Sequence, residues 1–436
     1  MTKIRILSIQ IDNSCKSLFL KKNSNLKFFY QLIIFSVQLT LPILKIVSPK
    51  LKLFVEGRTN WESKLKSQVY DNDKVIWFHA ASLGEYEQAV PIINALKLSH
   101  PDYKIAVSFF SPSGYEIKKK DSKLDIVTYL PLDTRKNASA FLQILKPEIA
   151  FIIKYEIWPN LMDELHDREI KTYLISGLFR PEQLYFKPIG KFMAEALNKF
   201  NHLFVQNEDS LRLLQKHGFE QSSISGDTRY DRVISQLGMD NRLDFMEDFT
   251  ASGKLTVVFG STWPEDLSVT LGAINKVPTS IKLVIAPHEI SPSQIQKLKK
   301  NITKKVICFS QIEHINLKDY DVLIVDAIGY LTKIYSYANL AYVGGGMGFS
   351  GLHNILEPAA FGIPVVIGKN YEKFPEAKKL RRLGGLFSVE SENEFEELLN
   401  KLITDKTFRE KSGQICGHFV NSEAGATQTI LYKINF

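Results

Sequence analysis

Two successive runs of short apolar segments, each segment followed by a polar or amphipathic stretch, constrain this chain more than any other feature. In the first run, after Arg58, KVIWFHA stops at a small-residue loop. EYEQAVPIINALKLSHP then places Ala89, Ile92, Ile93 and Leu96 at the spacing of one buried helix face. KIAVSFFS, DIVTYLPLD, PEIAFIIKYEIWP, KTYLISGLF and HLFVQNE continue the pattern. From Val233 to Lys254 no strong strand occurs and charges are frequent, so this stretch reads as a linker. The alternation restarts with KLTVVFGST, KLVIAPHE, KVICFS, DVLIVDAIG, LAYVGGG and PVVIG. Strands separated by helices pair in parallel, with helices covering both faces of the sheet. The expected class is therefore α/β, as two Rossmann-like parallel-sheet domains facing a cleft lined by strand C-termini, where open α/β sheets bind ligands. A length of 436 residues suits two cores better than one. The expected boundaries are an N-terminal extension and membrane-associated segment over 1–50, a first domain over 51–235, a linker over 236–253 and a second domain over 254–436. ATQTILYKINF is expected to be a terminal helix that returns to the first domain.

A net charge of +8 points to anionic partners. Nucleic acid is the weakest of these, because the lysines are dispersed and no nucleic-acid-binding signature accompanies them. Cys15, Cys308 and Cys416 are far apart and odd in number, which argues against a disulfide framework or a zinc site and suits a reducing cytoplasm. The run FFYQLIIFSVQLTLPILKIV, residues 28–47, is long enough to span a bilayer. Gln31, Gln38 and Lys45 interrupt it, however, and Pro42 disfavours an unbroken helix. A segment lying in the membrane interface is preferred to a span, and both to a buried core helix. No small-residue cleavage site follows, so a signal peptide is not expected. Residues 1–25 read as a poorly ordered or upstream extension.

Four segments could carry chemistry. In HAASLGE, Ser82 and Gly84 allow a ligand close to the backbone. Glu85 either complements the dipole of the following helix or serves as a general base at the mouth of the cleft. Glu156, in EIWPN, closes an apolar strand and points into the same crevice, while Trp158 and Pro159 have structural readings. Ser261 and Thr262, in GSTWPED, form either a plain helix cap or a phosphate cradle of backbone N–H groups and hydroxyls. GGGMGFSGLHNILEPA fits neither a dinucleotide fingerprint nor a Walker loop. It reads as a flexible anion-binding loop followed by a helix with His353, Asn354 and Glu357 on its first turn. Asn354 and Glu357 share a face there.

Taken in order, the six motifs HAASLGE, EIWPN, GDTRYD, GSTWPED, VDAIGYL and GLHNILEPAAFGIPVVIG resemble those of the 3-deoxy-D-manno-octulosonic acid (Kdo) transferases of lipopolysaccharide synthesis. The resemblance runs from about Phe28 to the C-terminus and takes in the membrane-proximal start and KLFVEGRTNW. It implies a GT-B fold, a CMP-Kdo donor, a lipid A precursor (lipid IVA) as acceptor, and work at the cytoplasmic face of the bacterial inner membrane. The implied reaction inverts the anomeric centre with neither metal nor cofactor, and the absence of a DxD-like motif between the domains agrees. Glu85 falls on the family's catalytic base. Ser261, Thr262, His288, Gly329, His353, Asn354 and Glu357 fall on the nucleotide side, and Ser82, Gly84, Glu156 and Arg229 on acceptor or transition-state support. Three departures stand out. Lys154 replaces the first of two acids before Trp-Pro, Pro287-His288 lacks the usual intervening arginine, and Tyr330 replaces a glutamate after Asp-x-x-Gly. The second departure puts one phosphate contact in question, with His288 or Arg229 as the substitute.

Overall fold

The computed structural model describes residues 26–43 and 45–434, so the expectation for residues 1–25 lies outside the described residues. Two compact units emerge, one ending at Arg232 and regaining the chain from Gly425, the other formed by Val233–Ala424.

The first unit holds β1 (Lys74–Ala80), β2 (Tyr103–Phe109), β3 (Ile126–Tyr129), β4 (Pro147–Ile153), β5 (Lys171–Gly177), β6 (His202–Val205) and β7 (Ser222–Ile224). They form one parallel sheet in the order β3-β2-β1-β4-β5-β6-β7. Its strands are continuous apolar runs because helices cover both faces. Every residue of β1 after Lys74 is buried, His79 included. The expected helix face is also seen, with Ala89, Ile92, Ile93 and Leu96 buried on helix Leu83–Ser99. Arg58 lies against the rings of Phe54, Phe110 and Tyr129 and donates to the carbonyls of Phe110 and Leu130, which ties together the exits of β2 and β3.

Helix Ala426–Ile434 packs on this unit, its Ile430 and Ile434 joining the cluster that contains Ile92 and Phe78. Asp231 fastens its start by accepting from the backbone N–H groups of Gly425 and Thr427, both at 2.6 Å, and from the Thr427 hydroxyl at 2.7 Å. At the other end of the chain, helix Leu26–Ile43 has a mean hydropathy of 1.4. Among the described residues it continues through Pro42 to Ile43. The polar residues of its first two turns face the unit: Lys27 pairs with Asp163, Tyr30 donates to Asp133 and Gln31 to Asn160, and Ile34 is buried beside them, whereas Ser36, Gln38 and Thr40 are exposed. Phe28, Phe29, Leu32, Ile33, Phe35, Leu39 and Ile43 are exposed.

The second unit repeats the plan with β8 (Leu255–Thr262), β9 (Ile281–Pro287), β10 (Val306–Cys308), β11 (Val322–Ile324), β12 (Leu340–Val343), β13 (Val365–Gly368) and β14 (Leu386–Val389). The order is β10-β11-β9-β8-β12-β13-β14, again parallel. The stretch read as a linker contains no strand, but it is not a bare connection. Helix Asp244–Thr250 buries Met246 and Phe249 in the same core as Val258 and Leu323.

Candidate active site

In a parallel sheet the crevice falls where neighbouring strands send their chains in opposite directions. For the first unit that point lies between β1 and β4, and both acidic motifs leave the sheet there. β1 runs into Ala81 and Ser82, and Ser82 occupies the N-cap of Leu83–Ser99 without making a side-chain cap bond. Gly84 is exposed and a Cβ there would meet nothing, so packing within the protein does not require glycine at this position. Glu85, in the first helical turn, folds back so that its Oε2 accepts from the Ala81 N–H at 2.6 Å. Oε1 meets no donor among the described residues. Burial pushes the Glu85 carboxyl above its usual value, opposed by the Ala81 bond; Glu156 adds to the rise, while Lys154 and His79 oppose it. The dipole-cap and catalytic-base readings of Glu85 are thus compatible, since one oxygen is held and the other is left open.

Glu156 receives the Trp158 indole N–H at 3.2 Å, and Trp158 stacks on Phe110 with centroids 4.9 Å apart. Lys154, the residue that departs from the family pattern, turns through a left-handed conformation at φ 56°. Behind Glu156 lies a residue that the sequence reading passed over. His79 is fully buried, its Nε2 is 3.5 Å from Glu156 Oε2, and its Nδ1 is 2.8 Å from Ser108 Oγ. Trp77 donates to the same hydroxyl at 2.8 Å. A polar imidazole closing an otherwise apolar strand was the available signal. Arg229 belongs to a different part of this unit. It follows β7 and forks onto Asp227 at 2.7 and 2.8 Å.

The corresponding point of the second unit lies between β8 and β12. Here Ser261 is held at φ 53°, and Thr262 is buried with its hydroxyl unpartnered among the described residues. Helix Pro264–Lys276 begins immediately after Trp263, which leaves these two residues at the end of β8. The first three glycines after β12 are packed into the unit, while Phe349 and Ser350 further along the same loop are exposed. Gly344, Gly345 and Gly346 are buried. A Cβ on Gly344 would lie 2.3 Å from the Ser261 carbonyl oxygen, and Gly345 adopts φ 89°. Asp266, fully buried, accepts from the N–H groups of Trp263 and Gly345, both at 2.8 Å, and from the Tyr342 hydroxyl at 2.9 Å. The Gly345 N–H is therefore spent on a side chain of the protein, and the glycines serve close packing. Asp266 stands third in its helix, an acidic position that helix-start rules favour; that signal went unused.

His353 and Asn354 precede the helix instead of riding on its first turn, because helix Leu356–Ala360 starts later. Asn354 still reaches Glu357, donating to Oε1 at 3.1 Å, and Thr332 donates to Oε2 at 2.9 Å. His288, just after β9, donates its backbone N–H to the Thr262 carbonyl at 2.9 Å, and its ring stacks on Trp263 at 4.3 Å. His353 receives the Trp263 indole N–H at 3.0 Å. Gly329 is an exposed turn residue at φ 97°, with no bond to this group. A groove of about 760 Å³ along β14, walled by Arg381, Phe387 and Leu398, carries none of the motif residues.

Known proteins can now be set beside this geometry. Residues 56–232 match the family model described as 3-deoxy-D-manno-octulosonic-acid transferase (kdotransferase). A 3-deoxy-D-manno-octulosonic acid transferase of Aquifex aeolicus is 28% identical over 79% of this chain and 91% of its own length. That of Haemophilus influenzae is 25% identical over 82% and 85%. A bifunctional glycosyltransferase/methyltransferase of Fusobacterium nucleatum is 24% identical over 83% of this chain, which spans 57% of that longer protein. Among solved structures, the UDP-GlcNAc 2-epimerase of Neisseria meningitidis superposes with a TM-score of 0.60 at 16% identity, covering 83% of this chain and 99% of that one. MurG of Acinetobacter baumannii gives 0.50 at 11% identity, with the same coverages. These neighbours share the GT-B architecture of two parallel-sheet units. The domain match over residues 56–232 and the relatives aligned over most of the chain agree in making it similar to the Kdo transferases.

Proposed function

We propose that this chain moves Kdo from CMP-Kdo onto a lipid A precursor, lipid IVA, with inversion at the anomeric carbon and Glu85 as general base. The observation that carries the reading is the Glu85 carboxylate, oriented through Oε2 by the Ala81 N–H, open at Oε1 and made more basic by burial. Oε1 takes the proton of the acceptor's primary hydroxyl as that oxygen attacks the anomeric carbon. The bond from that carbon to the phosphate oxygen breaks, and CMP departs with the electron pair. Ser82, Gly84 and Glu156 lie beside the base along the chain or in its field and support the acceptor side. Arg229 is bound to Asp227 within the first unit, which favours His288 of the second unit as the substitute for the missing arginine.

The second unit holds the nucleotide. Thr262 offers an unused buried hydroxyl, Ser261 a strained backbone, and Asn354 and Glu357 a pre-formed polar pair. His288, His353 and Gly329 complete the nucleotide side. Charge developing on the leaving phosphate is met by fixed donors, so the route calls for no metal. Membrane attachment is peripheral: helix Leu26–Ile43 turns the polar residues of its first two turns to the protein and large apolar residues outward, as a helix lying in the headgroup layer of the cytoplasmic leaflet does.

Mass spectrometry of the product formed from CMP-Kdo and lipid IVA tests the reading, and should show acceptor enlarged by Kdo. Turnover with UDP-sugars and none with CMP-Kdo would make this a different lipid glycosyltransferase.

A further inference from the structure

We propose that Trp263 is a positioning residue that fixes the His353 imidazole as a neutral Nδ1–H hydrogen-bond donor to the phosphate of the bound nucleotide. The inference rests on the reading of the second unit as the nucleotide-binding one. An indole N–H can only donate, so at 3.0 Å from His353 Nε2 it requires a lone pair there. A neutral imidazole carries one N–H, which must then sit on Nδ1. Protonating Nε2 as well would set two N–H groups against each other and break the bond. Burial, then the neighbouring His288, hold the His353 pKa below its usual value, while Asp266 acts the other way.

The ring is fixed in plane as well as in tautomer. Trp263 and His353 lie within 17° of parallel, and His288 packs against both, 4.3 Å from Trp263 and 4.7 Å from His353. The His353 backbone is tied to the Gly344 carbonyl at 3.1 Å. Gly344 in turn fits against Thr262, whose Cα is 2.7 Å from where a Gly344 Cβ would stand. Nδ1 meets no acceptor among the described residues. Thr262, next to Trp263 in the chain, is buried and its hydroxyl is likewise unpartnered there. The Nδ1–H is thus left as an unspent donor on a ring held by the indole, and it suits a phosphate oxygen. The donor is neutral and the acceptor charged, so the bond orients the phosphate and is stronger than one between two neutral groups.

The experiment is long-range ¹H–¹⁵N NMR of the imidazoles in the full chain, combined with calorimetric binding of CMP and of cytidine. Wild-type His353 should show the Nδ1–H tautomer and remain neutral at pH 6.5. Trp263→Phe keeps the ring that packs on His288 and removes only the N–H. It should let Nε2–H appear and weaken CMP about tenfold, as expected for a hydrogen bond to a charged group, while cytidine binding stays unchanged. In a His353→Ala background the same change should have no effect on CMP. An Nε2–H tautomer in the wild type overturns the proposal whatever the variants do, so it stays testable even if Trp263→Phe fails to fold. Equal losses for CMP and cytidine would also overturn it. A wild type that shows the Nδ1–H tautomer but binds no CMP would instead overturn the nucleotide reading.

Discussion

In the proposed role of general base, two demands act on the Glu85 side chain, which would have to sit deep enough to be basic and still keep an oxygen free. The Ala81 N–H satisfies the first oxygen, and burial raises the proton affinity of the second. Glu85→Gln preserves the bond to Ala81 and abolishes proton abstraction, so transfer should fall by roughly 10²–10⁴-fold in a product assay with the fold intact. For the wild type, kcat/KM should decline as pH falls through a value above 4.5, the ordinary value for this carboxyl. The same shift affects stability. A folded pKa above the unfolded one means that the folded chain binds this proton more tightly. The resulting contribution is complete below the unfolded value and lost as pH rises through the folded one. At neutral pH the charged carboxylate is therefore a burden on the fold, and Glu85→Gln should unfold at a higher temperature than wild type at pH 7. The advantage should disappear near pH 4. Equal unfolding temperatures at pH 7 would mean that burial costs this carboxylate nothing.

Among the elements, the turn after β12 is the one most dependent on a single side chain. Removing the Asp266 carboxylate strands the N–H groups of Trp263 and Gly345 and the Tyr342 hydroxyl in a dry environment. Asp266→Ala should destabilise the second unit by about 3–5 kcal/mol in denaturant titration, the scale expected when several buried donors lose a charged acceptor. Asp231 plays a milder part at the start of helix Ala426–Ile434. Asp231→Ala should cost about 2 kcal/mol, seen as faster hydrogen exchange over 426–434 with little change in β4. The alternation of apolar runs disclosed the strands of both sheets except β7 and β14. Those two are short edge strands, and Ser222–Ile224 carries too few apolar residues to register against a period-two template. Site residues on strand exits were legible because a parallel sheet dictates where its loops emerge. Asp266, His79 and Trp263 were not, since their importance lies in partners distant along the chain. At the glycine run the sequence alone leaves two roles open, since the same residue that allows flexibility also allows close packing; the neighbouring Ser261 and Gly368 reveal the packing at Gly344 and Gly346.

For the molecule as a whole, the proposed peripheral attachment to a bilayer turns on the N-terminal helix. The helix Leu26–Ile43 has the length of a span, yet its first two turns are fastened to the first unit through Lys27, Tyr30 and Gln31. Carrying that helix across hydrocarbon would strip those groups of the partners that satisfy them, at several kcal/mol for each unsatisfied polar group. Leaving it docked keeps those bonds and, in the proposed peripheral attachment, would turn the exposed Phe28, Phe29, Leu32, Ile33 and Phe35 to the acyl boundary. Lys45, Lys50 and Lys52 follow in the chain, and lysines near an anionic surface add about 1 kcal/mol apiece. Alkaline carbonate should therefore release the protein from membranes. Co-flotation with vesicles containing anionic lipid should weaken as salt rises. Phe29→Asp and Ile33→Asp should each reduce vesicle binding about tenfold or more, given about 1.5–3 kcal/mol for each large apolar side chain withdrawn from the interface. Neither change touches Tyr30 or Gln31, so the unfolding temperature in solution should hold. Retention in the membrane after carbonate, together with indifference to both substitutions, would show that the helix crosses the bilayer.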